Sequence, residues 1–202
     1  MTEFSRRVFL RSSACGAAGM LLSGTTALAV ESASTHQPLL AKARAALELH
    51  GSRIPHRDIM AIADFSAPSR VPRFHFLNLE NGQSTTFLVA HGRGSDPAHT
   101  GWVQHFSNLP GSEASAAGSY VTGGTYVGQH GESRRLVGLD AENDQAENRA
   151  IVIHAAWYVN ASTAQEQGKI GRSQGCFAVS QGDIGEVLAR LGSGRLLYAD
   201  KA

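Results

Sequence analysis

The pattern of apolar and polar positions predicts a helix in the first quarter of the chain. Leu40, Ala43 and Leu47 recur at helical spacing, so a helix is predicted over residues 38–50, after a loose polar stretch over residues 30–37. Pro38 suits the first position of that helix because the missing N–H of proline has no helical partner there.

A second, short helix is predicted to begin at Pro55 and to carry Ile59 and Ile62. Farther along, apolar runs flank the pair Asn81-Gly82. Both residues of such a pair tolerate the positive φ of a type I′ turn, which makes the pair a strong hairpin signal. A β-hairpin is therefore predicted over residues 73–79 and 84–90.

The rest of the chain alternates between strand patterns and polar loops. A polar, glycine-rich stretch from His91 to Ser119 predicts a long functional loop. Strands are predicted over 119–127, 134–139, 150–159 and 195–198, and a helix over 183–191. The pattern predicts one mainly β domain over residues 30–202, with a helical N-terminal appendage and one helix near the C-terminus.

The first 29 residues follow a different pattern, typical of an export signal. The pair Arg6-Arg7 precedes a short uncharged apolar stretch, and Ala27-Leu28-Ala29 resembles a cleavage site. The twin arginine indicates a Tat-type signal, so we expect passage through the Tat translocase into the periplasm and cleavage after about Ala29. An uncleaved anchor is the alternative, but the apolar run is shorter than the roughly 20 residues that span a bilayer. Membrane contact is expected only through this signal.

Removal of the signal changes the composition in two useful ways. The chain has 202 residues, and those after Ala29 include 15 basic and 16 acidic ones, so no basic stripe favours nucleic acid as a partner. Cys15 is lost with the signal, which leaves Cys176 as the single thiol. A lone free cysteine in an oxidising compartment calls for a reason such as catalysis, although an inert buried cysteine is the common alternative.

Two segments carry candidate chemistry. Ile151-Val152-Ile153-His154 places a histidine at the end of an apolar strand, and the run GRSQGC ends at Cys176. An imidazole can take the proton of a thiol, since the thiolate is the nucleophile. The backbone N–H groups of Gly175 and Cys176 are candidate oxyanion donors. Spacing alone leaves the pairing of His154 with Cys176 open, because a histidine on an apolar strand is often a core residue.

The order of these segments resembles the murein L,D-transpeptidase catalytic domain family, the YkuD-like cysteine transpeptidases. In that signature a strand-borne histidine precedes a glycine-rich segment that ends in Ser-x-Gly-Cys. Further runs of the same pattern cover roughly residues 40–200: Asp64–Ser69, Val89–Ser95, Phe106-Ser107-Asn108, Thr122–Tyr126, His130–Ser133, Leu136–Leu139 and Arg149–His154.

The resemblance implies a β-sandwich-like fold and a known reaction that needs no cofactor. Cys176 would attack the carbonyl of the third residue of a peptidoglycan tetrapeptide stem and release D-Ala. The thioester would then pass to an amine, or to water in an L,D-carboxypeptidase. His154 would act as base and acid, oriented by the backbone carbonyl of Ala155.

Three positions depart from the family pattern, one of them Phe177, where the murein group often has proline after the cysteine. Gln174 stands where the family often has histidine, and Ala178 replaces an arginine that often follows the cysteine. Arg172 is therefore the expected anchor for a substrate carboxylate, since a guanidinium binds carboxylate through two parallel hydrogen bonds. Other residues expected to contact substrate are Ser173, Gln174, His91, Tyr126 and Gly123.

Two rival hypotheses come from other classes of protein. His91, His99 and His105 fall in one loop and would suit a zinc peptidase, but no cysteine or ordered carboxylate accompanies them at a metal spacing, so no metal is predicted. A non-catalytic peptidoglycan-binding module of the same fold is the other rival. Such a module has no need of a reactive thiol.

Overall fold

The computed structural model describes residues 26–202, with side chains from Pro38 onward. The pair Arg6-Arg7 and the apolar stretch after it lie outside the described residues, so the export signal and its cleavage after Ala29 stay predictions. Within the described residues, no helix combines the length and the apolar character needed to cross a membrane.

The first helix, α1, spans Thr26–Leu49. The prediction that it begins at Pro38, after a loose stretch, is therefore wrong: Pro38 lies inside the helix. Proline inside a helix removes one backbone hydrogen bond, and a long helix can tolerate that loss. The buried face of α1 includes Leu39, Ala43 and Leu47, and it packs on Met60 and neighbouring apolar residues of the sheet.

Eight strands form a single sheet in the order β3-β2-β1-β8-β4-β5-β6-β7. Two neighbouring pairs, β1 with β8 and β6 with β7, are parallel, and the others are antiparallel. The strands are β1 (Ile59–Asp64), β2 (Phe74–Asn78), β3 (Ser84–Phe87), β4 (Gly118–Gly128), β5 (Gly131–Gly138), β6 (Val152–Ala155), β7 (Phe177–Val179) and β8 (Leu196–Asp200). The remaining helices are α2 (Ala161–Gln167), α3 (Ile184–Arg190) and two 3-10 turns, Gly51–Arg53 and Arg93–Ser95.

The predicted hairpin is confirmed, since β2 and β3 pair antiparallel and Gly82 between them has φ +73°. The predicted short helix from Pro55 is wrong, because Ile59–Asp64 is strand β1. All but the first residue of β1 are buried, so both faces are apolar and no alternation marks it as a strand. The strand predicted over 150–159 ends earlier, at Ala155.

The sheet curls until its two ends meet, which gives it the expected sandwich-like core. The ring of Phe74 on β2 stacks on that of Phe177 on β7, with centroids 6.2 Å apart, although these strands lie near opposite ends of the sheet. Beyond β3, the Ala90 N–H donates to the Ala178 carbonyl at 2.9 Å. This contact joins the segment after β3 to β7, where the cysteine segment ends.

Candidate active site

His154 and Cys176 come together because β6 and β7 are parallel neighbours. Ile153 is paired with Phe177 and His154 with Ala178, so Cys176 lies opposite Val152, just before β7. Side chains alternate along a strand, which puts His154, Val152 and Cys176 on one face of the sheet. All three line a single open cleft of about 680 Å³.

One hydrogen bond sets the orientation and the tautomer of the His154 ring. Its ring is almost entirely buried, and Nδ1 lies 2.8 Å from the carbonyl oxygen of Ala155, the residue that the resemblance names for this role. A carbonyl can only accept, so Nδ1 carries the proton and donates it. The neutral ring therefore keeps Nε2 unprotonated and able to accept a proton.

The thiol of Cys176 rests against a backbone carbonyl. Its Sγ donates to the carbonyl oxygen of Ala150 at 3.6 Å. Ala150 has φ +52°, which is uncommon for a residue with a side chain. This conformation turns the backbone immediately before β6, and with it the carbonyl that accepts the hydrogen bond of the thiol.

Burial keeps both groups in their neutral forms. Desolvation raises the pKa of the Cys176 thiol, although the Val152 N–H and the charge of Arg149 offset part of the rise. Desolvation lowers the pKa of His154, the Ala155 hydrogen bond opposes this, and His130 adds to the lowering. The resting pair is thus a thiol beside a neutral imidazole, an arrangement suited to general-base transfer of the proton during attack.

The cysteine loop is shaped by Ser173. This buried hydroxyl donates to the carbonyl of Cys176 at 2.7 Å and accepts from the N–H of Gly175 at 3.2 Å. Ser173 lines the cleft, but its hydroxyl serves the loop itself, not a ligand. The Gly175 amide, predicted as an oxyanion donor, is already bonded within the loop, which leaves the amide of Cys176 as the other predicted donor.

His91 lies inside the protein and not among the residues that line the cleft, so the structure does not bring its side chain to the predicted site. The side chain is fully buried, with Nδ1 2.7 Å from Nη2 of Arg73 and Nε2 3.4 Å from Oδ2 of Asp96. Burial and the charge of Arg73 lower its pKa to about 3, so the ring is neutral. Its backbone carbonyl accepts a hydrogen bond from the N–H of Ser173 at 2.9 Å, which ties the cysteine loop to this buried segment.

Two residues of β4, Tyr126 and Gly123, were predicted to contact substrate, and they lie in different surroundings. Tyr126 lines the cleft, with the guanidinium carbon of Arg135 4.4 Å from its ring centre. Gly123 is not among the residues that line the cleft, and its carbonyl accepts a hydrogen bond from Arg134 at 2.8 Å. A register shift between Thr122 and Thr125 separates the two positions, which the sequence pattern does not reveal.

The cleft is cationic. Arg93, Arg149 and Arg172 line it, and the described lining residues include no aspartate or glutamate. Arg93 forms an ion pair with Glu113. Arg172 uses Nη1 on two backbone carbonyls, one of them that of Pro97 at 3.1 Å, so its charge is fixed in place without a carboxylate partner among the described residues. The predicted Gln174 also lines this cleft and is exposed.

Several lining residues were given no role by sequence reasoning, among them His130, Arg149 and Tyr158. The ring of His130 stacks on that of His154 with centroids 4.2 Å apart and an interplanar angle of 22°. Arg149 and Tyr158 also line the cleft. His130 and Arg149 both stand within the spaced runs that carry the family resemblance, so those runs contained a signal for them.

The histidines considered for zinc do not form a site. Among the residues that the structure describes, no group of three or more His, Cys, Asp or Glu side chains is arranged to hold a metal ion. His99 instead lies with Nε2 2.9 Å from the carbonyl of Ile170, and His91 is committed to the interior.

A thiol just before β7 and an imidazole on the neighbouring parallel strand β6 share one open cationic cleft. A model of the L,D-transpeptidase catalytic domain matches residues 31–199, so the chain belongs to that family. The family resemblance read from the motifs is thereby confirmed. A comparison with curated proteins finds no match.

Solved structures with a similar fold include L,D-transpeptidases. One from Mycobacterium tuberculosis H37Rv is 12% identical, with a TM-score of 0.43 over 71% of this chain and 58% of that chain. One from Mycobacterium smegmatis is 11% identical, with a TM-score of 0.41 over 71% and 58%. The helical cell shape determining protein Pgp2 from Campylobacter jejuni is 11% identical, with a TM-score of 0.46 over 71% and 47%. The match thus spans less than two thirds of each relative's length.

Proposed function

We propose that this protein is a periplasmic peptidoglycan L,D-transpeptidase that works through a thioester on Cys176. The observation that carries the proposal is the neutral pair of Cys176 and His154 in a cleft lined by three arginines and, among the described residues, by no acid. Membership of the L,D-transpeptidase catalytic domain family supports the substrate, a peptidoglycan stem peptide. The twin-arginine sequence supports export.

The proposed acylation step moves one proton and exchanges one bond. His154 Nε2 takes the proton from Cys176 Sγ while Sγ attacks the carbonyl carbon of the third stem residue. The Cys176 N–H stabilises the oxyanion of the tetrahedral intermediate, and such a donor contributes about 3 kcal/mol. The imidazolium then returns the proton to the nitrogen of D-Ala, the peptide bond breaks, and a thioester remains.

The second half-reaction reverses these roles. An acceptor amine attacks the thioester carbonyl, His154 takes a proton from that amine, and the thiolate leaves and is reprotonated. The product is a new amide bond between the donor stem and the acceptor. With water in place of the amine, the same steps give an L,D-carboxypeptidase.

Arg172 is the proposed anchor for a carboxylate of the donor stem. Because Nη1 is held by backbone carbonyls, the guanidinium has a fixed orientation while its other N–H groups can serve a ligand. The arginine that the family often carries two residues after the cysteine is replaced by Ala178, which is fully buried. A cation from the loop before the cysteine therefore takes the place of one on the strand after it.

The decisive experiment incubates the protein with tetrapeptide muropeptides and follows release of D-Ala and the mass of every product. Wild type is expected to release D-Ala and to form cross-linked or exchanged products, and Cys176→Ala and His154→Gln are expected to do neither. His105→Gln is the matched control, because His105 is exposed and outside the cleft.

The products also distinguish the alternatives. Tripeptide products alone would identify a carboxypeptidase, because water is then the acceptor. Binding to peptidoglycan with no D-Ala release from wild type would identify a non-catalytic binding module. Full turnover by Cys176→Ala would refute the thioester mechanism.

A further inference from the structure

Arg149 is a cation of the cleft that the acyl-transfer steps above do not use. It lines the same cleft as Cys176, and its guanidinium is held at two points: Nη1 donates to the Ser107 carbonyl at 2.7 Å, and Nη2 donates to the Ala114 carbonyl. Both partners are neutral. In the part of the chain that the structure describes, Arg149 forms no ion pair with a carboxylate, so its charge remains uncompensated.

The guanidinium is packed against the backbone next to the nucleophile. A Cβ added to Gly175 would lie 3.0 Å from Nη2 of Arg149 and 2.8 Å from the carbonyl oxygen of Ala114. Nη2 of Arg149 therefore lies at the edge of the space that a side chain at position 175 would occupy. The absence of a side chain at position 175 allows the charge to come this close to the nucleophile.

Other charged groups in the cleft are less suited to this role. Arg93 is neutralised by Glu113, and the two carbonyls that hold Arg172 lie in the loop after Arg93, at Asp96 and Pro97. The charged and titratable groups that line the cleft around the thiol are Arg93, Arg149, Arg172, His130, His154, Tyr126 and Tyr158.

We propose that Arg149 is a positioning residue whose charge stabilises the thiolate of Cys176 and the negative charge that develops during acyl transfer. The effect on the thiol is a property of the resting protein, and only the effect on acyl transfer rests on the proposed function. The physical reason is the partial burial of the thiol: a nearby opposite charge favours the ionised form, which desolvation disfavours.

The test measures how fast iodoacetamide alkylates Cys176 as a function of pH, by peptide mass spectrometry on the full chain. The rate follows the thiolate fraction, so its midpoint gives the pKa of the thiol. Arg149→Gln keeps a hydrogen-bond donor and removes the charge, whereas Arg149→Lys keeps the charge and loses the second donor group. Arg190→Gln is the matched control, because Arg190 is an exposed arginine on α3, away from the cleft.

In Arg149→Gln the midpoint is expected to rise by about one pH unit, so that alkylation at pH 7 slows about tenfold. Arg149→Lys is expected to stay within about twofold of wild type, since a retained charge preserves most of the shift. Equal behaviour of the Gln and Lys variants would overturn the proposal in favour of a purely structural role. An unshifted Gln variant would overturn it as well.

Thermal melts establish that each variant folds, and Arg149→Met supplies a second neutral variant if Arg149→Gln does not. Iodoacetamide is a small neutral reagent, so the measurement needs no peptidoglycan. If the alkylation midpoint rises as expected in Arg149→Gln but wild type releases no D-Ala, the proposed function alone is refuted. Normal D-Ala release with no alkylation shift would refute the role of Arg149 alone.

Discussion

Replacing Gly175 with alanine tests whether the backbone next to the nucleophile has room for any side chain. Gly175 has φ +110°, which side-chain-bearing residues rarely adopt. The new Cβ would also meet the Ala114 carbonyl oxygen at 2.8 Å and Nη2 of Arg149 at 3.0 Å. The substitution therefore combines backbone strain with a steric clash directly beside Cys176.

The backbone strain and the steric clash each lower the free energy of unfolding by an amount that can be estimated. A residue held in so sparsely populated a backbone region costs about 1–3 kcal/mol. Overpacking of a filled site costs about 1–3 kcal/mol more. Gly175→Ala is thus expected to lower the free energy of unfolding by about 2–6 kcal/mol, a large share of the roughly 5–15 kcal/mol typical of a domain. If Cys176 moves by about 1 Å, activity falls about a hundredfold.

Three other glycines supply matched controls in the same assay, which is urea denaturation together with D-Ala release. Gly82→Ala carries positive φ with nothing within 4 Å, so it isolates strain at about 1–2 kcal/mol. Gly171→Ala lacks positive φ but would meet Tyr158 Cβ at 2.6 Å, so it isolates the clash. Gly124→Ala has neither and is expected to leave stability nearly unchanged. The reasoning fails if Gly175→Ala is as stable and active as Gly124→Ala.

Three further predictions concern the polar contacts of His91, Ser173 and Asn160. The pKa of His91 lies at about 3 in the fold, below its ordinary value of 6.5, so the unfolded chain binds that proton first. The contribution of His91 to the free energy of unfolding is therefore fully present above pH 6.5. It falls by about 1.4 kcal/mol per pH unit between pH 6.5 and 3. A urea-denaturation series in which wild type shows the same pH dependence as His91→Gln would contradict this. Ser173→Ala removes the hydroxyl that bonds to Cys176 and Gly175 and is expected to cost about 1–3 kcal/mol in urea denaturation and to slow alkylation of the thiol, whereas unchanged values would refute its role in shaping the loop. Asn160→Ala removes the side-chain cap of α2 and is expected to cost about 1 kcal/mol in thermal stability with D-Ala release unchanged, so a large loss of activity would link α2 to the site.

His130 introduces a second titratable ring beside the base. Burial lowers the pKa of His154, and the charge of His130, whose ring stacks on it, adds to the lowering. The turn between β4 and β5 therefore contributes to the electrostatic environment of His154. This contribution depends on the hairpin position and not on any residue adjacent to His154 in the sequence.

The sequence by itself determined those features that depend on local order and composition. The β2–β3 hairpin follows from Asn81-Gly82 and its flanking apolar runs, and α3 follows from helical spacing, because turn geometry and helix period are local properties. The prediction of Cys176 as nucleophile and His154 as its base came from a single thiol, a strand-borne histidine and the order of the motifs. Strand β1 escaped prediction because a strand buried on both faces has no alternation.

Only the tertiary structure decided which residues share the cleft. His91 and Arg149 stand in similar motif runs, yet one is sealed in the core with Arg73 and the other packs against Gly175. The reason is the curl of the sheet, which brings segments distant in sequence to the edge where β6 meets β7. The neutral state of the thiol and imidazole is likewise set by burial, a property of the whole fold and not of neighbouring residues in the chain.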